Sequence, residues 1–211
     1  MGKYKCVIFD CDGVLVDSET LGNTVLTNMA NALGANITLE YALKHFKGGT
    51  IKGVVKQIET LTGKSVPNDF IDQYRKTSYE LFKKEIKPIS GIIELLDNLK
   101  QPFCVASSGP EEKIKLNLEC TGLLEYFENK IFSCYTIQKW KPDPAVFLWA
   151  AESMGFKPED CVVIEDSITG VRAARNGGFD VFGFTKHDYN NELEKEATFT
   201  FAKMEQLIDL L

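Results

Sequence analysis

A doubly wound α/β core interrupted by a helical insert is the fold class that this 211-residue sequence predicts, on three observations. Short apolar runs recur without polar alternation, as in parallel strands covered on both faces. Helical patterns separate these runs, which is the rhythm of strand, crossover helix and next parallel strand. One long stretch, about residues 18–87, breaks the rhythm with helical patterns in series and no convincing strand.

Taken in order, the first strand is CVIF (6–9), too short for a helix and rich in β-formers. In the insert, Leu21, Val25, Met29 and Leu33 recur every four residues before Gly34. Ile51, Val54, Val55, Ile58 and Leu61 do the same before Gly63, and Phe70, Ile71, Tyr74, Tyr79, Leu81 and Phe82 follow Pro67. The stretch is read as a four-helix bundle, a cap placed over the core. GIIELLDNLK (91–100), after Pro88, returns the chain to the core, where FCVAS (103–107) is the second strand. PEEKIKLNLECTG (110–122) and PAVFLWAAESMG (144–155) are helices with proline at the start and glycine past the end. KIFS (130–133), CVVIE (161–165) and VFGF (181–184) complete the strands, with ITGVRAARNGG (168–178) as a further helix. The predicted organisation is a Rossmann-like catalytic core from residues 1–17 and 88–211, and a helical cap from residues 18–87. Hinges are expected near Asp17 and at residues 87–90.

The bulk numbers narrow the function. A 44% hydrophobic and 26% charged composition is that of a soluble globular protein. A net charge of −6, with no basic block, disfavours nonspecific nucleic-acid binding but not a small phosphorylated ligand. The six cysteines are scattered without a CxxC pair, which argues against a zinc site and for small buried hydrophobes in a reducing compartment. The first apolar run is too short for a signal peptide, Cys6 stands where myristoylation needs Ser or Thr, and no run approaches the ~20 apolar residues of a membrane span. A cytoplasmic protein without nucleic-acid or membrane partners, monomeric or weakly homodimeric, is expected.

Ligands of an open parallel sheet collect beyond the carboxyl ends of its strands. There the sequence places Asp10 and Asp12 after the first strand, Ser107, Ser108 and Gly109 after the second, Lys141 beyond the third, and Glu165, Asp166 and Ser167 after the fourth. Each group alone has an ordinary explanation as a turn, a helix cap or a solvated lysine. Their coincidence at four successive strand ends does not. Spacing also excludes a calcium hand at residues 10–19, where Gly13 and Val14 fall at the wrong loop positions. Together the four groups suit phosphoryl transfer. Mg²⁺ takes hard oxygen ligands and keeps several waters, so two or three carboxylates hold it. Such a cation is read as the only way for Asp10, Asp12 and Asp166 to converge. Ser107 and nearby backbone N–H groups supply donors for phosphate, Lys141 offsets charge, and an aspartate acts as nucleophile.

FDCDGVLVDSE (9–19), the serine after the second strand, KPDP (141–144) and IEDS (164–167) resemble, in order, the four motifs of the haloacid dehalogenase superfamily of phosphohydrolases. The insert resembles the cap of its β-phosphoglucomutase-like subgroup. The resemblance implies Asp10 as nucleophile and Asp12 as general acid and base, giving Mg²⁺ its backbone carbonyl. It implies Ser107 and Lys141 on the phosphoryl group, Asp166 completing the metal site and Glu165 close by. A mutase cap carries a histidine where this chain has Gly22, and an arginine where FKGGTIK (46–52) gives Ile51. Hydrolysis is therefore expected over isomerisation, with Lys47 and Lys52 left as substrate contacts from the cap. YTIQKWKPDPA (135–145) and CVASSGP (104–110) resemble bacterial 6-phosphogluconate phosphatases, which implies a phosphorylated sugar or sugar acid as substrate. A receiver-like or phosphate-binding signalling domain is the alternative of another class. The Asp-x-Asp spacing and the large helical insert disfavour it. His45 and His187 are read as structural or surface residues without an obvious partner, Trp149 as core, and Cys11 as packing directed away from the aspartates.

Overall fold

The structure, a computed structural model, describes residues 3–211. Its strands are β1 Cys6–Phe9, β2 Phe103–Ser107, β3 Ile131–Ser133, β4 Cys161–Glu165, β5 Asp180–Phe184 and β6 Phe199–Phe201. They form one wholly parallel sheet in the order β3-β2-β1-β4-β5-β6. The five apolar runs are the first five strands. The sixth was not expected, because Phe199 is exposed and Thr200 polar, so the segment carries no continuous apolar run.

The helices are α1 Glu19–Ala32, α2 Leu39–His45, α3 Ile51–Thr62, α4 Phe70–Glu85, α5 Ile92–Asn98, α6 Glu111–Cys120, α7 Cys134–Ile137, α8 Ala145–Ser153, α9 Ile168–Asn176 and α10 Leu193–Glu196. Side chains alternate across the sheet, so Val7 and Phe9 meet α5 and α6 on one face, while Cys6 and Ile8 meet α8 and α9 on the other. Every one of those four strand residues is fully buried, each apolar one contributing roughly 1.5–3 kcal/mol. Cys11 falls on the first face, in packing, and Trp149 packs edge-on against Phe132. Five cysteines are buried and Cys120 is exposed.

Helices α1 to α4 occupy the stretch between β1 and β2 and bury their own core of Leu26, Ala30, Ala42, Phe46, Val54, Ile58 and Phe70. The Thr38 and Thr50 hydroxyls accept the Tyr41 and Gly53 N–H groups and so start α2 and α3. Gly63, at φ 66°, ends α3. The two strands of chain joining these helices to the sheet lie side by side: Asp17 donates its N–H to the Lys87 carbonyl at 2.9 Å, and Ile89 to that of Leu15 at 3.0 Å. No helix among the described residues is long and apolar enough to cross a membrane.

Candidate active site

Connections run outward from β1 to β3 on one side and from β4 to β6 on the other, so the strand order reverses between β1 and β4 and leaves a crevice at their carboxyl ends. Asp10 follows β1, Glu165 closes β4 and Asp166 follows it. A cavity of about 190 Å³ opens there, lined by Asp10, Asp12, Ser107, Ser108, Gly109, Lys141, Glu165, Asp166 and Lys47. Nine of the ten predicted site residues therefore share one cavity.

Lys141, 3% exposed at its side chain, donates to Asp10 Oδ1 at 2.6 Å, Glu165 Oε1 at 2.7 Å and the Ala106 carbonyl at 3.2 Å. Burial pushes the Asp10 carboxyl well above the ordinary carboxylate range. Lys141 opposes this, but its one ammonium is shared with Glu165. Burial works against the Lys141 charge too, yet the two carboxylates hold it above the usual lysine value. Burial also favours neutral Asp12, and here it loses. The Lys113 ammonium at 2.7 Å and the Ser18 hydroxyl at 2.5 Å keep that carboxyl below its ordinary range. Asn117 Nδ2 adds a third donor at 3.2 Å. Ser107 is buried, and its Oγ accepts the Gly109 N–H at 3.1 Å, which leaves the hydroxyl hydrogen free to donate into the cavity. Ser133 Oγ holds the Gly109 carbonyl at 2.6 Å and so fixes the loop.

The tenth residue, Lys52, is not brought in. Ile51 and Val54 turn toward the helical core, so position 52 is on the opposite, exposed face of α3. Lys47 is half-buried at the cavity: its ammonium stands 2.8 Å from Asp166 Oδ2 and donates to the Asp166 and His187 carbonyls. The crowding of carboxylates also has a different remedy from the expected one. Asp10, Asp12 and Asp166 each face a lysine ammonium, which offsets part of their charge. His187 is buried, with Nδ1 3.3 Å from the Tyr189 hydroxyl and Nε2 3.3 Å from Asp17 Oδ1 but not aligned for a hydrogen bond. His45 is exposed against the Tyr41 ring.

A divalent cation fits the residues present. Asp10, Glu165 and Asp166 each offer a carboxylate oxygen within 4.8 Å of the others. Asp166 Oδ2 is buried with no donor aligned to it, and burial raises its carboxyl despite Lys47. Glu165 is the least free of the three, since Oε1 accepts Lys141 and Oε2 accepts the Ser167 N–H and hydroxyl. Two glycines make this packing fit. A Cβ on Gly13 would lie 2.2 Å from Asp166 Oδ2, and one on Gly170 would lie 1.8 Å from Glu165 Oε1.

Lys113, Asn117 and Ser18, the partners of Asp12, were not anticipated from the sequence. Lys113 and Asn117 are four apart on the helix that follows the Ser-Ser-Gly loop, so that spacing was the available signal. Glu19 and Arg75 also line the cavity unannounced. Burial, reinforced by the Asp166 charge, pushes the Glu19 carboxyl up to about 7.

The family described as haloacid dehalogenase-like hydrolase matches residues 7–184 of this chain. The chain is 33% identical to the 6-phosphogluconate phosphatase of Escherichia coli K12 over 211 residues, covering all of this chain and 96% of that protein. A conserved haloacid dehalogenase-like protein from Agrobacterium tumefaciens superposes with a TM-score of 0.89 at 30% identity, covering 98% and 97% of the two chains. A family hydrolase from Deinococcus radiodurans, solved with bound phosphate and sodium, gives 0.81 at 26% identity over 100% and 99%.

Proposed function

Because this chain belongs to the haloacid dehalogenase-like hydrolase family, we propose that it is a Mg²⁺-dependent phosphatase of small phosphorylated sugars or sugar acids, with 6-phosphogluconate the first candidate. The observation that carries the reading is the convergence of Asp10, Lys141, Ser107 and Asp166 in one cavity at the reversal of the strand order. The similarity to the Escherichia coli 6-phosphogluconate phosphatase supports the choice of substrate.

Asp10 attacks phosphorus, the bond from phosphorus to the sugar oxygen breaks, and Asp12 protonates the departing oxygen. Water, deprotonated by Asp12, then attacks the aspartyl phosphate, and inorganic phosphate and free Asp10 carboxylate result. Held ionised by Lys113, Asp12 is already in the form that the second step needs. To deliver a proton in the first step, its carboxyl must leave that lysine and take up a proton from solvent, which then passes to the departing oxygen. Lys141 and the Ser107 hydroxyl supply positive charge and a donor for the phosphoryl oxygens, where preorganised groups act most strongly. Asp10 and Asp166, with the Asp12 backbone carbonyl and Glu165 beside them, would hold Mg²⁺, which when bound neutralises charge on the transferring group. Residues 18–87 act as a cap, swinging on the paired chain segments near Asp17 and Lys87, over a core of residues 1–17 and 88–211.

A panel of phosphorylated metabolites, assayed for phosphate release with Mg²⁺ and again with EDTA, tests the reading. Turnover of sugar phosphates, lost with EDTA and in Asp10→Asn, is expected. Turnover that survives Asp10→Asn, or isomerisation without phosphate release, overturns it.

A further inference from the structure

The cavity is lined by five carboxylates and four cationic side chains. Three of the cations are committed: Lys141 to Asp10 and Glu165, Lys113 to Asp12, and Lys47 to Asp166. The fourth is Arg75 on α4. Among the described residues no carboxylate pairs with it. Its Nη2 donates instead to the Tyr135 hydroxyl at 3.2 Å, and its guanidinium stands 5.6 Å from the centre of that ring. Tyr135 is itself wedged edge-on against Trp140, at 5.4 Å between centroids, next in sequence to Lys141. An aromatic pair rooted beside the phosphoryl site thus aims a half-buried arginine that has no anion of its own.

A guanidinium presents parallel N–H groups that match the two oxygens of a carboxylate, and partial burial strengthens that match. The phosphoryl group is met elsewhere, by Lys141 and Ser107. An anion at Arg75 must therefore be a second one on the same molecule. We propose that Arg75, steered by Tyr135, is a specificity residue that binds the carboxylate of a phosphorylated sugar acid at the end remote from Asp10. The proposal rests on the phosphatase reading and narrows it: a neutral sugar phosphate leaves Arg75 unanswered, and a sugar bisphosphate answers its charge with a tetrahedral group.

The test compares kcat/KM for 6-phosphogluconate, glucose 6-phosphate and fructose 1,6-bisphosphate in the wild type, Arg75→Ala and Arg75→Lys. Loss of a charge-assisted pair is expected to cut kcat/KM for 6-phosphogluconate on the order of 10- to 100-fold in Arg75→Ala, mostly through KM. Glucose 6-phosphate should move by less than about 2-fold, and Arg75→Lys should recover part of the loss. Equal losses on all three substrates would make Arg75 a mere tether of α4 to Tyr135 and overturn the assignment. A larger loss on the bisphosphate would overturn the carboxylate. Direct binding of 6-phosphogluconate to Asp10→Asn protein, with and without Arg75→Ala, separates the two failures. Absent turnover in the wild type counts against the phosphatase, whereas equal affinity in the two proteins counts against Arg75.

Discussion

Replacing Lys141 with methionine removes one ammonium from among two buried carboxylates, and the structure fixes both the size and the pH dependence of the result. The methionine keeps the aliphatic stem and the contact with the Phe147 ring, which the ammonium now makes at 4.7 Å from its centre. What disappears is a pair of ionic hydrogen bonds at 2.6 and 2.7 Å, at a side chain 3% exposed. Removing one partner of a buried ion pair costs about 3–5 kcal/mol, because the remaining charge is stranded. With two carboxylates stranded, about 4 kcal/mol is expected in metal-free buffer at pH 8. Burial already raises the Asp10 carboxyl, and loss of Lys141 raises it further. A carboxyl with a folded pKa above its unfolded one binds an extra proton in the folded state. Stability then falls as pH rises from the ordinary carboxylate range through the raised value, so the deficit shrinks at low pH. Urea unfolding in EDTA, followed by Trp140 and Trp149 fluorescence, should show the full loss at pH 8 and a smaller one at pH 5. Phosphate release should fall at least about 100-fold. A deficit under about 1 kcal/mol, or one equal at both pH values, would refute a charged buried triad.

Gly170→Ala should force Glu165 off Lys141, costing roughly 1–3 kcal/mol and lowering Tm by about 3–10 °C, with most activity lost. Gly53→Ala, whose Cβ meets only Thr50 Oγ1 at 3.4 Å, should instead gain about 0.5 kcal/mol, and calorimetry distinguishes the two. Lys52→Ala should leave kcat/KM within about 2-fold, whereas Lys47→Met, losing its contact with Asp166, should cut it roughly 10-fold or more. Lys113→Met frees Asp12 to follow its burial, so its carboxyl rises and the acid limb of the kcat profile moves to higher pH. An unmoved limb would mean that Lys113 does not set the Asp12 charge.

The legible part of this molecule is the part dictated by backbone periodicity. Buried parallel strands are continuous apolar runs, so CVIF, FCVAS and CVVIE mark β1, β2 and β4 at their observed ends, and the residues that follow them face one cavity. Burial on two faces leaves that signature. The β6 segment, with Phe199 exposed and Thr200 polar, does not, and α2, with two turns and one buried residue, leaves almost none. Side-chain partners at long range are harder. Lys113 lies 101 positions from Asp12 and Lys47 119 from Asp166, and no local pattern encodes such a meeting. Lys52 shows the reverse error: it is close in sequence to the site-facing Lys47, but one step of 100° around α3 from the inward Ile51 points it at solvent.

Those long-range pairs bear on how the site is assembled. The three lysines come from three places: Lys141 from the loop beyond β3, Lys113 from α6, and Lys47 from the link between α2 and α3. Two belong to the sheet and its flanking helices, so the charges of Asp10 and Asp12 are offset wherever the core is folded. Asp166 depends on Lys47, which reaches it only when the helical insert lies over the strand ends. An insert that lifted away would take that ammonium with it. The Lys47–Asp166 pair therefore favours the covered arrangement, by an amount that a cation bound at the same carboxylate would reduce. Under the phosphatase proposed above, a metal held at Asp166 would compete with Lys47 for that carboxylate, and its occupancy would be linked to the position of the helices above it.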